Sequence, residues 1–440
     1  MHITLIKPKI GHPEGQEYLD EGRMEPLMLG VLGGLTPPEH EVVLWDDRFE
    51  EVPFDAPTDL VAITIETFTA RRSYEIAAEY RRRGVPVIMG GMHATLIPDE
   101  VQAHADSVLL GNAEGAWGQA LDDLAAGRLQ KRYQGGTNQV QNGTFPRRDL
   151  FAGKGYLPVS LIQFSRGCPH ECFYCATSTF FCQEHHVRPW QEVLEEIAQR
   201  KLLFFVDDNF TANREAAKAL LKELIPLKIS WVGQLCLEAA DDPELLSLMA
   251  KSGCLGFVVG FESLDPRNLD WMKKSGVNSR AAGLYSDQIK RFKDKGFQIW
   301  AAFTLGHDHD TVESLAATVD FALDHRFSFA AFNTLLPYPG TPLYARLKEE
   351  DRLLYDGRWW LHPDYRFNYA AFEPKNMSAD ELTLAGQMAR KRFNSVPSVI
   401  HRALDIKTNL RSLPRLLYFL RYSLLFRREV KRKEGMVFGS

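Results

Sequence analysis

Residues 165–186, SRGCPHECFYCATSTFFCQEHH, carry four of the chain's six cysteines and three of its thirteen histidines. Cys168, Cys172 and Cys175 stand in C-x3-C-x2-C spacing, which places three thiolates on one short loop. Thiolates are soft ligands that suit zinc or an iron–sulfur cluster. A structural zinc site takes four protein ligands, and Cys182, His185 or His186 would supply the last. A cubane held by three cysteines leaves one iron open to a substrate. Spacing and position favour the cluster and leave zinc open. Cys182 also stays open, as a fourth ligand, a substrate-site group or a buried thiol, the commonest fate of a free cysteine.

These residues need a frame to hold them. The first 145 or so residues alternate apolar runs with helical patterns: strands at 3–7, 41–46, 60–65, 85–90 and 107–111, and a helix in ARRSYEIAAEYRRRG that Gly84 ends. That alternation predicts an α/β fold with a doubly wound, Rossmann-like parallel sheet, whose ligands bind beyond the carboxyl ends of the strands. QGGTNQVQNGTFPRRD (134–149) reads as a linker. A second series follows, with strands at 159–164, 202–206, 229–235, 256–261, 298–305 and 329–335. Six βα units suit a partial (β/α)6 barrel of the TIM type, with its chemistry at the C-terminal mouth. The cysteine loop follows the first of these strands. Three regions result: 1–145, 150–345 and a mainly helical 346–440.

The composition narrows the classes. The chain has 440 residues, 45% hydrophobic and 25% charged, with a formal net charge of -5. Mild acidity gives no electrostatic reason to expect nucleic acid. Six cysteines in such a length exclude a secreted disulfide scaffold. No apolar run approaches the roughly 18–20 residues of a spanning helix, and MHITLIKPKI reads as a strand, not a secretory leader. A cytoplasmic enzyme is expected. The stretch RSLPRLLYFLRYSLLFRREVKRK (411–433) mixes Leu, Tyr and Phe with Arg and Lys around a single acid, Glu429. It reads as a helix packed on the barrel with a solvated basic end, or as a membrane-surface helix giving peripheral contact.

The cysteine motif, with the aromatic Tyr174 before its third cysteine, resembles that of radical S-adenosylmethionine (SAM) enzymes. With the N-terminal doubly wound domain, the chain is similar over most of its length to the cobalamin (B12)-dependent members of that family. The resemblance implies a [4Fe-4S] cluster on Cys168, Cys172 and Cys175, SAM on the open iron, and cleavage of SAM to a radical that abstracts hydrogen from an unactivated carbon. It also implies an electron donor such as flavodoxin or ferredoxin. Asp207, Asp208 and Asn209 of FFVDDNF match the place where relatives hold the SAM amino group; a carboxylate there would pair with an ammonium. One of them could instead cap the next helix. Glu262 and Ser263 of VVGFES match ribose or methionine contacts, Gly306 of FTLGHDHDT an adenine-side segment, and Pro337 of LLPYPGTPLY an adenine-holding turn. Gln234 is a further SAM candidate. Tyr338, His307, His309, Cys182 and His185 are candidates to line the reaction cavity, with Tyr338, Cys182 and His307 proposed as catalytic.

For the N-terminal domain, the absence of GxGxxG after the first strand argues against a dinucleotide. The resemblance implies cobalamin instead. The D-x-H-x-x-G motif of base-off cobalamin proteins is matched by His12 and Gly15 but not by Ile10, so His12 lacks the carboxylate that would orient a metal-bound imidazole. Better candidates are Glu66, Thr67, Phe68 and Thr69 after the third strand, Gly90, Gly91 and His93 after the fourth, and Gly111, Glu114 and Gly115 after the fifth. The implied reaction is methyl transfer to carbon. Radical ring formation, contraction or oxidation, a radical SAM enzyme without cobalamin, and a zinc-stabilised binding protein are the alternatives. The aromatic-rich 357–374 could cover a flat or hydrophobic small-molecule substrate, and the basic apolar C-terminus would suit a lipid, isoprenoid or tetrapyrrole; Trp359 and Trp360 are equally core candidates.

Overall fold

The computed structural model describes residues 1–13, 22–136, 143–197, 200–273 and 282–439. Its N-terminal sheet has six parallel strands: β1 (His2–Lys7), β2 (Glu41–Asp46), β3 (Leu60–Thr64), β4 (Val87–Gly90), β5 (Ser107–Leu110) and β6 (Arg132–Gln134), in the order β2-β1-β3-β4-β5-β6. Every residue of β3 is buried, as expected of a central parallel strand covered by helices on both faces. The strand order reverses between β1 and β3, and the crevice beyond their carboxyl ends is where such sheets take ligands. Lys7 ends β1 and Glu66 follows β3, so their ion pair of 2.6 Å sits at this switch point.

Five strands were expected here and six are found. β6 is only three residues, RYQ, too short for its alternation to register. It also takes Gln134 from the expected linker. The linker's 144–147 pack against helix Leu27–Leu35, where Gly30, Gly33 and Gly34 leave room for Phe145, Pro146 and Arg147. Positions 137–142 of the linker lie outside the described residues.

The second sheet follows chain order: β7 (Ser160–Ile162), β8 (Leu202–Phe205), β9 (Ser230–Leu235), β10 (Cys254–Glu262), β11 (Gln298–Leu305) and β12 (Phe329–Thr334), all parallel. This is the expected six-unit partial barrel. Burial alternates along β9 and β10. Trp231, Phe257, Val259 and Phe261 belong to the continuous core that also holds Leu220, Leu245 and Phe292 from the covering helices. Val232, Gln234, Val258, Gly260, Glu262, Ala302 and Thr304 alternate with the buried set and stay half-open. The concave side of the sheet is therefore not filled by its own side chains.

The C-terminal region is less separate than expected. Helices Ala379–Phe393, Val396–Ala403 and Leu413–Lys433 pack beside the barrel, but Val437–Phe438 pairs antiparallel with Gly11–His12 of the first domain. Trp359 and Trp360 are 0% and 2% exposed and share a core with Val61, Ile63 and Met89. The two tryptophans are thus core, and the C-terminus ties the two sheets together.

Candidate active site between the two sheets

The cysteine loop is closed by a hairpin: Ser165–Gly167, just after β7, pairs with His185–Val187. Gly167 has φ +81°, and a Cβ there would collide with the Glu184 carbonyl. Asp207, after β8, anchors the hairpin. Its carboxylate accepts the Phe164 N–H at 3.2 Å, the Ser165 hydroxyl at 2.5 Å and the Ser165 N–H. Burial pushes the Asp207 carboxyl up to about 7 against those donors. Fully buried and occupied, Asp207 is a loop anchor and not the SAM contact expected of it. Asp208 accepts Gly167 N–H at 3.0 Å and the Thr177 hydroxyl at 3.3 Å, and its exposed carboxylate lies beside Cys168. The Asn209 amide reaches the Cys168 sulfur. Neither Asp208 nor Asn209 caps the following helix; Asn213 does, accepting the Ala216 N–H.

Cys168, Cys172 and Cys175 are all free thiols, half-buried to buried, and none is bonded to another. Cys168 and Cys175 lie within electrostatic reach of each other, and Cys172 and Cys175 both lie within reach of Tyr174. Burial pushes the Cys168 thiol up, so a bound metal must displace its proton. Three converging thiols with an amide on one of them fit a three-cysteine cluster. Cys182 is exposed, at φ +51°, with its sulfur 3.9 Å from the Thr179 carbonyl. Its exposure sets it apart from the other three cysteines. His185 is half-buried with Nε2 unpartnered, and His186 faces Glu184 at 3.1 Å.

Glu262 ends β10 at a bulge, with φ +65°. A non-glycine residue in that region costs about 1–2 kcal/mol. The bend aims its carboxylate at the Thr304 hydroxyl, 2.6 Å away, and at the Tyr174 phenol. Tyr174 therefore links the cysteine loop to Glu262, and burial and the neighbouring carboxylate and thiols raise its pKa well above the ordinary phenol value. Gln234 donates to the Asp207 carbonyl at 3.3 Å, holding the ends of β8 and β9 together.

The next loops turn out more structural than expected. Ser263 is buried; its hydroxyl accepts from Asp265 N–H and the Asn268 amide. Asn268 also donates to Asp310 at 2.7 Å, and Asp310 in turn accepts the N–H groups of Gly306 and His307. Gly306 has φ +107°, and a Cβ would strike Leu382. Its glycine serves that packing. His307 is fully buried beside Trp271, and neither ring nitrogen makes a well-formed hydrogen bond. Burial holds it neutral against the pull of Asp310 and Glu262. His309 donates its N–H to Asn268. The carbonyl of buried Pro337 accepts the Trp359 indole N–H at 2.9 Å, which leaves that turn braced by the C-terminal segment.

On the N-terminal side, Glu66 keeps 45% of its side-chain surface open although it lies deep in the molecule, its carboxyl pulled down chiefly by Lys7. Tyr338 is likewise half-open and deep, within reach of both Glu66 and Cys175. Side chains that are enclosed yet open to water line an internal recess. Glu66, Tyr338, Cys175, Tyr174 and Glu262, each only partly covered and each within electrostatic reach of the next, imply one such recess running from the switch point to the barrel mouth. Phe68 is seated among Tyr338, Trp359, Phe367 and Phe438.

The other N-terminal candidates point inward. Thr69 exchanges capping hydrogen bonds with Glu66, and Thr67 meets His93 Nδ1 at 3.1 Å. His93 is fully buried, with Nε2 3.3 Å from Glu100 and its ring against Trp360, so it is sealed from the sheet edge where a ligand contact was expected. The Glu114 side chain is buried and paired with Arg166 of the cysteine hairpin at 2.5 Å. It joins the two domains. Cβ atoms on Gly111 and Gly115 would collide with the Gly136 and Gly135 backbone, and one on Gly91 (φ +114°) would crowd the Ile65 carbonyl. Close chain packing explains these glycines. His12 contacts the Pro13 carbonyl at 3.0 Å; Gly15 lies outside the described residues.

The profile of the radical SAM superfamily matches residues 162–322. The bacteriochlorophyllide d C-8(2)-methyltransferase of Chlorobaculum tepidum is 30% identical over 357 residues, 75% of this chain and 78% of the relative. The chain belongs to the radical SAM superfamily. Among solved structures, this radical SAM enzyme shares its fold with two cobalamin-bound proteins. One is the radical SAM methyltransferase TsrM of Kitasatospora setae, with cobalamin and a [4Fe-4S] cluster (TM-score 0.64, 18% identity, 79% of this chain and 75% of that one). The other is the cobalamin-dependent radical enzyme OxsB with aqua-cobalamin (TM-score 0.65, 13% identity, 98% and 72%). The superfamily's cofactors are the [4Fe-4S] cluster and SAM, and the cysteine loop fits them.

Several residues that shape this radical SAM site escaped sequence reasoning. Lys7, Thr304, Arg166 and Asp310 act through partners far along the chain, and only the fold brings these together. His170, Cys236 and Glu238 also converge, with ligand-type atoms all within 4.8 Å of one another beside the cysteine loop. A histidine inside the loop was visible in the sequence; its neighbours after β9 were not.

Proposed function

We propose that the chain is a cobalamin-dependent radical SAM methyltransferase acting on an unactivated carbon of a large hydrophobic small molecule. The observation that carries this reading is the recess shared by two sites: Tyr338 stands within reach of Glu66, at the switch point of the doubly wound sheet, and of Cys175, at the barrel mouth. With the cofactors bound, the chemistry supplied there is reductive cleavage of SAM for hydrogen abstraction and carriage of a methyl group on cobalt. Cys168, Cys172 and Cys175 would hold the cluster. Asp208 retains acceptor capacity beyond its two present donors and is the carboxylate placed to pair with the SAM ammonium. Glu262, pre-aimed by Tyr174 and Thr304, would accept hydrogen bonds from SAM's hydroxyl or amino groups. Tyr338 and Phe68 exclude water between the domains. Glu66 and the open edge at Gly90 would border the cobalamin. His307, neutral and poorly partnered, remains the histidine placed to take a proton near Glu262.

The methyltransferase relative acts on a bacteriochlorophyllide, a tetrapyrrole. Below the polar ends at Gln234, Glu262 and Thr304, the half-open Val232, Val258, Gly260 and Ala302 give the concave face a small, apolar stretch, which suits a substrate of that kind. Reducing power would come from a flavodoxin or ferredoxin. The test is anaerobic turnover after reconstitution with iron, sulfide and cobalamin, with SAM and a strong reductant. We expect both 5′-deoxyadenosine and S-adenosylhomocysteine, the latter lost when cobalamin is omitted. Deoxyadenosine alone, with a tetrapyrrole substrate present, would favour radical ring formation or oxidation over methyl transfer.

A further inference from the structure

The outer surface of the C-terminal helices is built for a boundary. Helix Leu413–Lys433 turns Phe419, Tyr422 and Phe426 inward against Trp300 of β11 and Phe329 of β12. Its other face exposes Leu413 (67%), Leu417 (57%) and Leu424 (55%), interleaved with exposed Arg421 and Arg428. The neighbouring helix Val396–Ala403 exposes Val396 and Ile400 at one-turn spacing, continued by Leu404, Ile406 and Leu410. Leu384 and Met388 of helix Ala379–Phe393 add to them. Ten of the fourteen large apolar side chains exposed on the described surface thus fall between 384 and 424. Scattered single residues need no explanation, but a concentration of this kind marks an interaction face.

The charges of the same segment are one-sided. Lys407, Arg411, Arg421, Arg427, Arg428, Lys431 and Arg432 are exposed. The only acids between 395 and 433 are Asp405 and Glu429, both buried and paired, with Lys293 and Lys433 respectively. In a chain of net charge -5, this segment therefore contributes many cations and exposed leucines but no exposed carboxylate of its own, although Lys407 is paired with Asp294 of a neighbouring helix. Glu434, just beyond, is tied to Arg390 at 2.8 Å.

We propose that this face docks on an anionic lipid bilayer, leucines in the headgroup–acyl boundary and arginines on the lipid phosphates. Leucine without acid, framed by arginine, is the pattern of an interfacial amphipathic helix, and juxtamembrane cations are attracted to the negative surface potential of such a leaflet. No described helix is long and apolar enough to cross a membrane, so the contact is peripheral. The proposal is independent of the reaction catalysed within the recess.

The test is flotation of the cluster-loaded full chain with vesicles of phosphatidylcholine alone or mixed with phosphatidylglycerol. The chain should float with the anionic vesicles at low salt, and high salt should release it. Arg421→Glu with Arg428→Glu should weaken binding at least about 10-fold, and Leu417→Asp with Leu424→Asp similarly, with iron content and circular dichroism unchanged. Met28→Asp, at an exposed apolar position of the other domain, should bind as the parent does. A parent that stays at the bottom of the gradient with anionic vesicles overturns the proposal. So does a concentration-dependent dimer that the same leucine and arginine variants abolish, because the face would then be a self-association surface.

Discussion

The barrel mouth and the carboxyl edge of the N-terminal sheet face the same recess, but they are built by different means. At the barrel mouth, polar side chains are aimed inward at cost: Glu262 takes a positive φ and Asp207 is buried as a carboxyl. At the sheet edge, the polar candidates are turned away, His93 to Glu100 and Glu114 to Arg166, and glycines bring backbone against backbone. A small ligand gripped by a few directed groups needs the first arrangement. A large ligand held by shape needs fewer of them.

The sharpest way to break this contrast is at the cysteines. Cys168→Ala should abolish cluster binding, removing its visible absorbance and bound iron, and reduce deoxyadenosine formation to background. Cys182→Ala should leave iron content and turnover unchanged, because its residue, unlike the other three, is exposed. Equal loss of iron in both variants would return the four-ligand site to consideration.

Next in size is the grip on SAM. Glu262→Gln removes a charged acceptor, and hydrogen bonds to charged groups are worth about 1.5–3 kcal/mol. Roughly 10- to 100-fold weaker SAM binding should follow, measured by equilibrium dialysis. Tyr174→Phe, which removes only the phenol that orients Glu262, should lose less, and a larger loss than in Glu262→Gln would give the phenol a direct role.

Gly111→Ala acts on the other side of the contrast. Its Cβ would strike the Gly136 carbonyl at φ +73°, so stability should fall by about 2 kcal/mol or more. Thermal melting would register this, while iron per folded protein stays at parental level.

How much of this was legible in the chain follows the same division. The cysteine spacing and the six strand–helix repeats are local patterns; the repeats predicted the barrel directly, and the spacing favoured a cluster over zinc on its first loop. The acidic residues at strand ends were visible too, but not which would turn inward. Asp207 and Asp208 are adjacent and chemically alike, and only the fold separates an anchor buried under Ser165 from a carboxylate facing the thiols. Glycine-rich loops misled for a physical reason: close approach of a chain to a ligand and to another chain demand the same missing Cβ. β6 was missed because three residues carry no period.

A smaller effect tests the Asp207 anchor through pH. Its carboxyl, ordinarily near 3.8, is held up at about 7 in the folded chain. A raised carboxyl contributes stability that is complete below the unfolded value and lost as pH rises through the folded one. The melting temperature of the parent relative to Asp207→Asn should therefore decline between about pH 4 and pH 7. A difference that is flat across that range would mean the anchor is already ionised at pH 4.

The smallest expected change in stability is at Gly90, and it bears most directly on what the sheet edge is for. Unlike Gly111, Gly90 does not have a positive φ, and a Cβ there would meet Leu109 only at 3.5 Å, an ordinary contact. Gly90→Ala should therefore shift the melting temperature by no more than about 2 °C. Packing does not demand this glycine, as it does Gly91, Gly111 and Gly115. If cobalamin passes over it, the added methyl should weaken cobalamin binding at least about 5-fold in an absorbance titration, since a bulky ligand seated by shape does not easily yield by one carbon. Unchanged affinity with unchanged stability would make Gly90 incidental, and the cobalamin site would then have to be sought nearer Glu66.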